Sequence, residues 1–289
     1  MGGPQPVNGP VLILGSTGML GRAMTAAVSR AGLEARTASR PRLDLTDPAS
    51  IDAAIDGSCP VVINCTAYTD VDGAESHEEL ARSINATGVS HLARRCASRG
   101  AMLVHYSTDY VFDGAGTAPY PTDQPRHPIN AYGRTKAEGE AAIEASGVRY
   151  LILRTSWLYA PWGKNFVRTI ARVAAARPTL RVVNDQRGRP TSAESLAEMT
   201  LAMLRARACG IHHGTDGGEC TWFDFAGAIV AGLGLPCTVE PCTTADFPRP
   251  APRPAYSVLD LSRTQELIGP IPLWRERLAD VLNRLERPL

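Results

Sequence analysis

Short apolar runs alternate with helical patterns along the first half of the chain. Val11–Leu14 is fully apolar and ends at a glycine, which predicts a buried parallel strand. Further strands are predicted at Glu34–Ala38, Val61–Asn64, Ala101–Tyr106 and Arg149–Arg154. The intervening predicted helices are Gly21–Gly32, Glu78–Ser98 and Tyr132–Ala145. This alternation predicts an α/β fold: a Rossmann-type, doubly wound parallel sheet with helices on both faces.

The alternation becomes less regular after about residue 155. Phe166–Ala176 and Ser192–Arg207 have helical patterns, and the Pro-rich stretch from Pro241 to Pro254 predicts an ordered loop. We therefore predict a nucleotide-binding Rossmann domain over residues 1–155 and a smaller C-terminal lobe over residues 156–289, with some segments of the lobe returning to the first domain. Residues 1–9 lack the features of a signal peptide and are predicted to be a disordered leader.

Composition and charge narrow the class of protein. The hydrophobic fraction is 44% and the charged fraction 20%, which are typical of a soluble globular chain. A net charge of +1 argues against a nucleic-acid partner, and no apolar run reaches transmembrane length. Seven scattered cysteines without Cys-x-x-Cys spacing indicate reduced thiols. We predict a cytoplasmic protein without a nucleic-acid or membrane partner.

Three glycines follow the first predicted strand and open the first predicted helix. Gly15 permits a tight turn, Gly18 lets the backbone approach a pyrophosphate, and Gly21 allows close helix packing. The helix N-terminus supplies oriented N–H groups for an anion. The turn therefore predicts a dinucleotide site. The cofactor contacts predicted from it are Gly15, Thr17, Gly18, Met19, Leu20 and Gly21.

The end of the second strand indicates which dinucleotide is bound. Ser39 and Arg40 stand where an acidic residue would hold a free ribose 2′-hydroxyl, so a 2′-phosphate and hence NADPH are favoured. The alternative is an arginine in solvent, which leaves NADH open. Asp44, followed by Leu45, is placed to accept a hydrogen bond from the adenine amino group.

Only two lysines accompany the twenty-eight arginines, and one of them lies four residues after a tyrosine. The spacing of Tyr132 and Lys136 puts both on one face of a helix. An ammonium beside a phenol lowers the pKa of the phenol, which would make Tyr132 a proton donor. The alternative is a tyrosine and a lysine on a solvated helix face.

Longer motifs add a family resemblance. With Asn64–Thr69, Tyr106–Gly114, Tyr132-x-x-x-Lys136 and Asn184–Thr191 in order, the chain resembles the extended short-chain dehydrogenase/reductase family. The resemblance runs from about Val11 to the C-terminus and is strongest to the branch that reduces dTDP-linked 4-keto sugars. It implies that Thr108 orients the substrate ketone, Tyr132 donates the proton, and Lys136 lowers the pKa of Tyr132 and binds the nicotinamide ribose.

The resemblance also implies the remaining contacts. Further cofactor contacts would be Cys65, Thr66, Ala67, Tyr68, Tyr132 and Lys136. The second lobe would recognise the sugar nucleotide. The implied substrate contacts are Thr69, Val71, Thr108, Asp109, Tyr132, Trp157, Asn165, Phe166 and Arg187.

The implied reaction is NADPH-dependent reduction of the C4 ketone of dTDP-4-dehydro-L-rhamnose to dTDP-L-rhamnose, by a monomer or homodimer. Two alternatives stay open: reduction of another dTDP-deoxysugar, such as a streptose-type sugar, and a non-catalytic NADP-binding regulatory subunit. Dehydration is not predicted, because Tyr110 stands where dehydratases of this superfamily carry the second residue of an Asp-Glu pair.

No metal site is predicted. Some family members hold magnesium between subunits through glutamates, one of which corresponds to Ala23 here. Glu194 matches a second such glutamate, and the C-terminal tail offers only Glu286. The ligand set is therefore incomplete.

Overall fold

The sheet that organises the molecule is formed by strands from both halves of the chain. The computed structural model describes residues 9–285, so the predicted leader over residues 1–9 lies almost wholly outside the described part. The strands are β1 (Val11–Leu14), β2 (Ala35–Ala38), β3 (Val61–Asn64), β4 (Met102–Thr108), β5 (Tyr150–Thr155), β6 (Leu158–Tyr159), β7 (Thr179–Val183), β8 (Arg187–Gly188), β9 (Thr191–Ser192), β10 (Gly210–His213), β11 (Cys220–Thr221) and β12 (Thr238–Cys242).

Helices connect these strands and cover the sheet. They are α1 (Met19–Arg30), α2 (Pro48–Ala54), α3 (Val71–Ser76), α4 (Glu78–Arg82), α5 (Gly88–Ser98), α6 (Ala131–Ala145), α7 (Phe166–Ala176), α8 (Ala193–Arg205), α9 (Trp222–Gly232), α10 (Ser262–Ile268) and α11 (Trp274–Leu282).

The main sheet has six strands in the order β10-β5-β4-β3-β1-β2, and all its pairs are parallel. Apolar side chains fill both faces: Met24 of α1 and Leu196 of α8 belong to one core, Ile51 of α2 and Leu92 of α5 to the other. The central strands read as continuous apolar runs because helices cover both sides. The predicted doubly wound α/β fold is confirmed.

One edge of the sheet comes from the second half of the sequence. β10 pairs with β5 at this edge, and α8 packs against α1 on one face of the sheet. The sequence pattern does not predict β10, because His212 and His213 interrupt its apolar character. The domain boundary near residue 155 stays a prediction.

The predicted helix Glu78–Ser98 contains an irregular turn. A π-helical segment, Ser83–Thr87, separates α4 from α5. It carries Asn85, whose side chain accepts from the Tyr68 N–H (2.9 Å) and donates to the Tyr68 carbonyl (3.1 Å). The turn thus fastens the helix to the segment that follows β3. Single-turn π segments often lie at functional sites.

A further apolar core is formed by residues from the second half of the sequence. Phe225 of α9 and Trp274 of α11 pack with apolar residues of α7 and of the two-stranded β7–β12 sheet. The Pro-rich stretch is ordered, as predicted, and reaches back to the first half: Arg253 donates to the Asp72 carboxylate (3.0 Å). All seven cysteines lie within the described residues and are free thiols. Among residues 9–285, no helix has the length and apolarity to cross a bilayer.

A buried ion cluster holds α6 against β5. The Glu140 carboxylate accepts from Arg154 at Nε (2.9 Å) and a terminal nitrogen (2.7 Å), and from Arg126 (3.0 Å). Glu140 and Arg154 are 0% and 1% exposed. Burial raises the pKa of Glu140, but the arginine hydrogen bonds outweigh it, so its pKa lies below the ordinary value.

Glu140→Gln is expected to lower the free energy of unfolding by about 3–5 kcal/mol, because it leaves a buried guanidinium without its counter-charge. The control is Glu144→Gln, which removes the outer partner of Arg126 and is expected to cost at most about 1 kcal/mol. Urea unfolding at neutral pH measures both. Because the folded pKa of Glu140 is depressed, its contribution is present above the unfolded carboxyl pKa and is lost as pH falls through the folded value. Equal losses in the two variants would contradict this account.

Candidate active site

The glycine turn lies at the carboxyl end of β1, where open parallel sheets bind ligands. Gly15 has a φ of +77°, a backbone region that side chains rarely adopt, and the Gly18 N–H donates to its carbonyl (3.0 Å). A Cβ on Gly21 would lie 2.1 Å from the Gly15 oxygen. The close approach of the turn to α1 therefore depends on glycine at this position.

A cleft of about 520 Å³ begins at this turn and runs along the ends of β1, β2 and β3. Twelve residues predicted as ligand contacts line it: Gly15, Thr17, Gly18, Ser39, Arg40, Asp44, Leu45, Cys65, Thr66, Ala67, Tyr68 and Thr69. The sequence analysis missed Leu43, Asp70 and Ile84, which also line it. Five predicted cofactor contacts are not among the lining residues: Met19, Leu20, Gly21, Tyr132 and Lys136.

The far end of the cleft carries the residues predicted to select the cofactor. The Ser39 hydroxyl lies 2.9 Å from that of Ser16, and the Arg40 side chain is 73% exposed. Asp44 accepts from the N–H (2.9 Å) and hydroxyl (2.8 Å) of Thr46 and lies 3.2 Å from Arg40. The Thr46 hydrogen bonds, more than Arg40, lower the pKa of Asp44. The carboxylate is therefore ionised and already held by its own loop, and its contact with adenine stays a prediction.

The three predicted catalytic residues lie on two adjoining elements. Thr108 is the last residue of β4, and α6 begins at Ala131, where the Asn130 side chain caps it by accepting from the Gly133 N–H (2.8 Å). The cap fixes Tyr132 in the first turn of α6 and Lys136 one turn later. Thr108 and Lys136 are buried, and Tyr132 is partly buried.

The structure corrects the predicted effect of Lys136 on Tyr132. Burial raises the pKa of Tyr132 to about 12; the nearby Thr108 hydroxyl opposes this rise and the Asp109 charge adds to it. Lys136 is not among the groups that shift the pKa of this phenol. Its Nζ atom donates instead to the Tyr106 carbonyl (2.6 Å) and lies 3.1 Å from Nε2 of His105. Burial lowers the pKa of Lys136 to about 8.

Asp109 adjoins this group and is 2% exposed. Its carboxylate accepts from the Thr108 hydroxyl (2.9 Å), and that hydroxyl also accepts from the Tyr110 N–H (3.2 Å). Burial raises the pKa of Asp109 to about 6, although polar contacts with Ser257 and Thr108 oppose the rise. The Thr108 hydroxyl is thus oriented from two sides.

A stacked aromatic pair includes a residue that closely follows the end of β5, the neighbour of β4. Thr155, the last residue of β5, pairs with Thr108 at the end of β4. Trp157 lies two residues after Thr155. Trp157 has a φ of +48° and its ring stacks on Trp222, with centroids 3.6 Å apart and planes at 10°. A Cβ on Gly188 would lie 2.7 Å from the Trp157 ring. The sequence analysis missed Trp222, which only the fold brings to Trp157.

Other predicted substrate contacts have partners within the chain. The Asn165 amide donates to the carbonyls of Ala160 (2.9 Å) and Trp162 (3.0 Å) and caps α7. The Phe166 ring lies 4.5 Å from Trp222, and the exposed Arg187 pairs with Glu219 at 3.2 Å. Val71 opens α3 and is partly buried. The substrate roles of these residues stay predictions.

Residues 9–285 contain no group of three or more histidine, cysteine or acidic side chains arranged to hold a metal ion. Glu194 accepts from both terminal nitrogens of Arg284, at 2.9 and 2.6 Å. Glu286 lies outside the described residues.

Comparison with known proteins gives the family. The model of the RmlD substrate binding domain family matches residues 9–287. The chain belongs to this family. Its resemblance to the sugar-nucleotide reductases of the extended short-chain dehydrogenase/reductase family is thereby confirmed.

Individual relatives are similar over nearly their full length. The dTDP-4-dehydrorhamnose reductase of Mycobacterium tuberculosis is 44% identical over 94% of this chain and 92% of its own. The dTDP-4-keto-6-deoxy-D-glucose reductase of Streptomyces niveus is 39% identical over 95% of this chain and 96% of its own. The crystal structure of dTDP-4-dehydrorhamnose reductase from Bacillus anthracis, in complex with NADP, is 33% identical, has a TM-score of 0.91, and covers 95% of this chain and 99% of its own.

Gly21→Ala is expected to lower the free energy of unfolding by about 1–3 kcal/mol, because the new methyl group would overlap the Gly15 carbonyl. The matched control is Gly227→Ala in α9, where a Cβ meets nothing within 4 Å. Its greater helix propensity is expected to raise stability by up to about 1 kcal/mol. Denaturant titration compares the two. A neutral Gly21→Ala would mean that the turn does not need glycine there.

Proposed function

We propose that this chain is an NADPH-dependent reductase that converts the C4 ketone of dTDP-4-dehydro-L-rhamnose to the hydroxyl of dTDP-L-rhamnose. The observation that carries the proposal is the position of Thr108, the last residue of β4, beside Tyr132 in the first turn of α6 at the carboxyl end of the sheet, in a chain of this family. The M. tuberculosis relative bears the name of this activity, and the B. anthracis relative was crystallised with NADP.

The residues of the cleft fit a dinucleotide. The turn offers backbone N–H groups at the start of α1, and the lack of side chains at Gly15 and Gly18 leaves room for a diphosphate. Ser39 and the exposed Arg40 stand where a 2′-phosphate would be held. When bound, NADPH supplies the hydride that is added to C4 of the sugar.

Tyr132 would supply the proton for the forming C4 oxygen. Its raised pKa keeps the phenol protonated throughout the physiological range, as a general acid requires. Thr108 would hold the ketone oxygen by turning towards it the hydroxyl proton that it donates to Asp109 here, while the Tyr110 N–H holds the hydroxyl oxygen in place. Lys136 would contact the nicotinamide ribose beside them. The hydride and this proton together account for both hydrogens gained by the C=O group.

The second lobe would recognise the sugar nucleotide. Trp157, stacked on Trp222, offers a flat apolar surface next to the catalytic strand end, where a hexose ring could pack. Asp109 lies at the same strand end. Thr69, Val71, Asn165, Phe166 and Arg187 are the further contacts proposed. We also propose a cytoplasmic location and a monomeric or homodimeric state.

Reduction of another dTDP-deoxysugar is the second candidate, because the S. niveus relative carries the name of such an activity. Both candidates use the same acid and the same cofactor. Incubation with each dTDP-4-keto sugar and identification of the product by mass spectrometry and NMR distinguishes them. A non-catalytic subunit would consume NADPH with neither.

Tyr132→Phe is expected to lower kcat by about 10²–10⁴-fold, because the proton donor is lost. NADPH affinity is expected to change little. Turnover is followed by the decrease in NADPH absorbance with dTDP-4-dehydro-L-rhamnose, and affinity by titration of the cofactor. Tyr150→Phe, at the opposite end of β5 from Thr155, is the control and should retain wild-type turnover. Full activity in Tyr132→Phe would exclude this acid.

Arg40→Ala is expected to weaken NADPH binding by about 10- to 100-fold, the loss typical of a charge-assisted hydrogen bond, with little change for NADH. Arg36→Ala is the control: Arg36 is also an exposed arginine of this strand region, but it pairs with Glu34 and Ser58 outside the cleft. Calorimetric titration with each cofactor gives the ratio. An unchanged ratio of NADPH to NADH affinity in Arg40→Ala would mean that Arg40 does not contact the cofactor.

A further inference from the structure

Buried hydrogen bonds connect the cleft to Lys136. Thr66, which lines the cleft, donates to Oδ1 of Asn64 through its N–H (3.0 Å) and its hydroxyl (2.5 Å). Nδ2 of Asn64 lies 3.1 Å from Nδ1 of His105, its neighbour across β3 and β4. Nε2 of His105 lies 3.1 Å from Nζ of Lys136, which donates to the Tyr106 carbonyl.

The direction of each hydrogen bond follows from one backbone donor. The N–H of Thr66 can only donate, so the atom of Asn64 that faces it is the oxygen, and the amide nitrogen faces His105. An amide nitrogen can only donate as well. Nδ1 of His105 must therefore accept and carries no proton. Since a neutral imidazole has one ring proton, that proton is on Nε2.

This tautomer of His105 determines the protonation state of Lys136. A proton on Nε2 points at Nζ, which must then offer a lone pair. A neutral amine has one lone pair, whereas an ammonium has none. A charged Lys136 needs the opposite tautomer of His105, and a proton on Nδ1 would face the N–H of Asn64. The two ends of the network therefore cannot both be satisfied when Lys136 is protonated.

The buried environment of His105 and Lys136 disfavours a positive charge on either side chain. Asn64, His105 and Lys136 are each at most 1% exposed. From α6, Lys136 has Tyr132 one turn before it and Glu140 one turn after it; β4 contributes His105 and the Tyr106 carbonyl. Glu140 is engaged by Arg154 of β5 and by Arg126. Burial lowers the pKa of His105 well below its ordinary value, which agrees with a neutral ring.

We propose that the hydrogen-bond arrangement described here is the neutral-amine state of Lys136, and that His105 is a positioning residue that couples protonation of Lys136 to Asn64 at the cofactor cleft. When the pair of Lys136 and His105 takes up one proton, Lys136 becomes an ammonium, Nε2 of His105 loses its proton and Nδ1 gains one. The ring stays neutral, and its hydrogen bond with Asn64 is broken. The catalytic meaning of this coupling rests on the proposed function. The coupling itself can be measured without substrate.

The lysine content of the chain makes the measurement direct. Lys136 and Lys164 are the only lysines, so protein labelled with ¹³C at the lysine Cε gives two signals, and Lys164→Arg assigns them. Labelling of the ring nitrogens of the six histidines reports the tautomer of His105, assigned with His105→Gln. Both are followed against pH in the cofactor-free protein. We expect one shared midpoint, with the proton on Nε2 above it and on Nδ1 below it.

Asn64→Asp tests the coupling from its other end. The carboxylate accepts from Nδ1–H, so His105 should keep its proton on Nδ1 at every pH, and the Lys136 midpoint should rise by about one pH unit. Asn85→Asp is the charge-matched control: Asn85 is equally buried but bonds to Tyr68 and Thr135 rather than to His105. It should leave the tautomer change of His105 in place.

The wild-type titration decides the proposal even if a variant fails to fold. Titration of Lys136 with an unchanged His105 tautomer would overturn it, as would a proton on Nδ1 at alkaline pH. An inactive protein with the coupled titration intact would instead contradict the proposed function alone.

Discussion

The inner face of α6 buries two ionisable side chains, and the active-site side of the molecule is arranged around that constraint. Lys136 and Glu140 lie one turn apart and are each at most 1% exposed. A buried charge costs several kcal/mol unless it is paired or hydrogen-bonded. Glu140 finds its partners in Arg154 and Arg126, and Lys136 finds its partners on β4. With these contacts made, α6 lies on the sheet so that Tyr132 is next to Thr108.

Burial, rather than a neighbouring cation, governs the acid at this site. The same dry environment that raises the pKa of Tyr132 lowers that of Lys136 and raises that of Asp109. A phenol with a raised pKa stays protonated at neutral pH. Its proton is therefore available to the strongly basic alkoxide that a reduction forms.

Trp157, which stacks on Trp222, has a strained backbone and belongs to the surface proposed for the substrate. A tryptophan at positive φ costs about 1–3 kcal/mol and persists only where its surroundings over-determine it. The Trp157 ring is held by stacking on Trp222 and by close packing against Gly188, which has no side chain. The strain is consistent with an indole held in advance in the orientation that a sugar would need.

The parallel sheet, the glycine turn and the pair Tyr132 and Lys136 could be predicted from the sequence, because apolar runs, glycine spacing and helical spacing are local signals, and the family resemblance added Thr108. Contacts between distant segments could not be predicted in this way. The strand at the His212–His213 segment, the stacking of Trp222 on Trp157, and the contact of His105 with Lys136 each join residues distant in sequence. The expected lowering of the Tyr132 pKa was wrong for the same reason: helical spacing fixes which face a side chain occupies, but its solvation and its partners depend on what packs against that face.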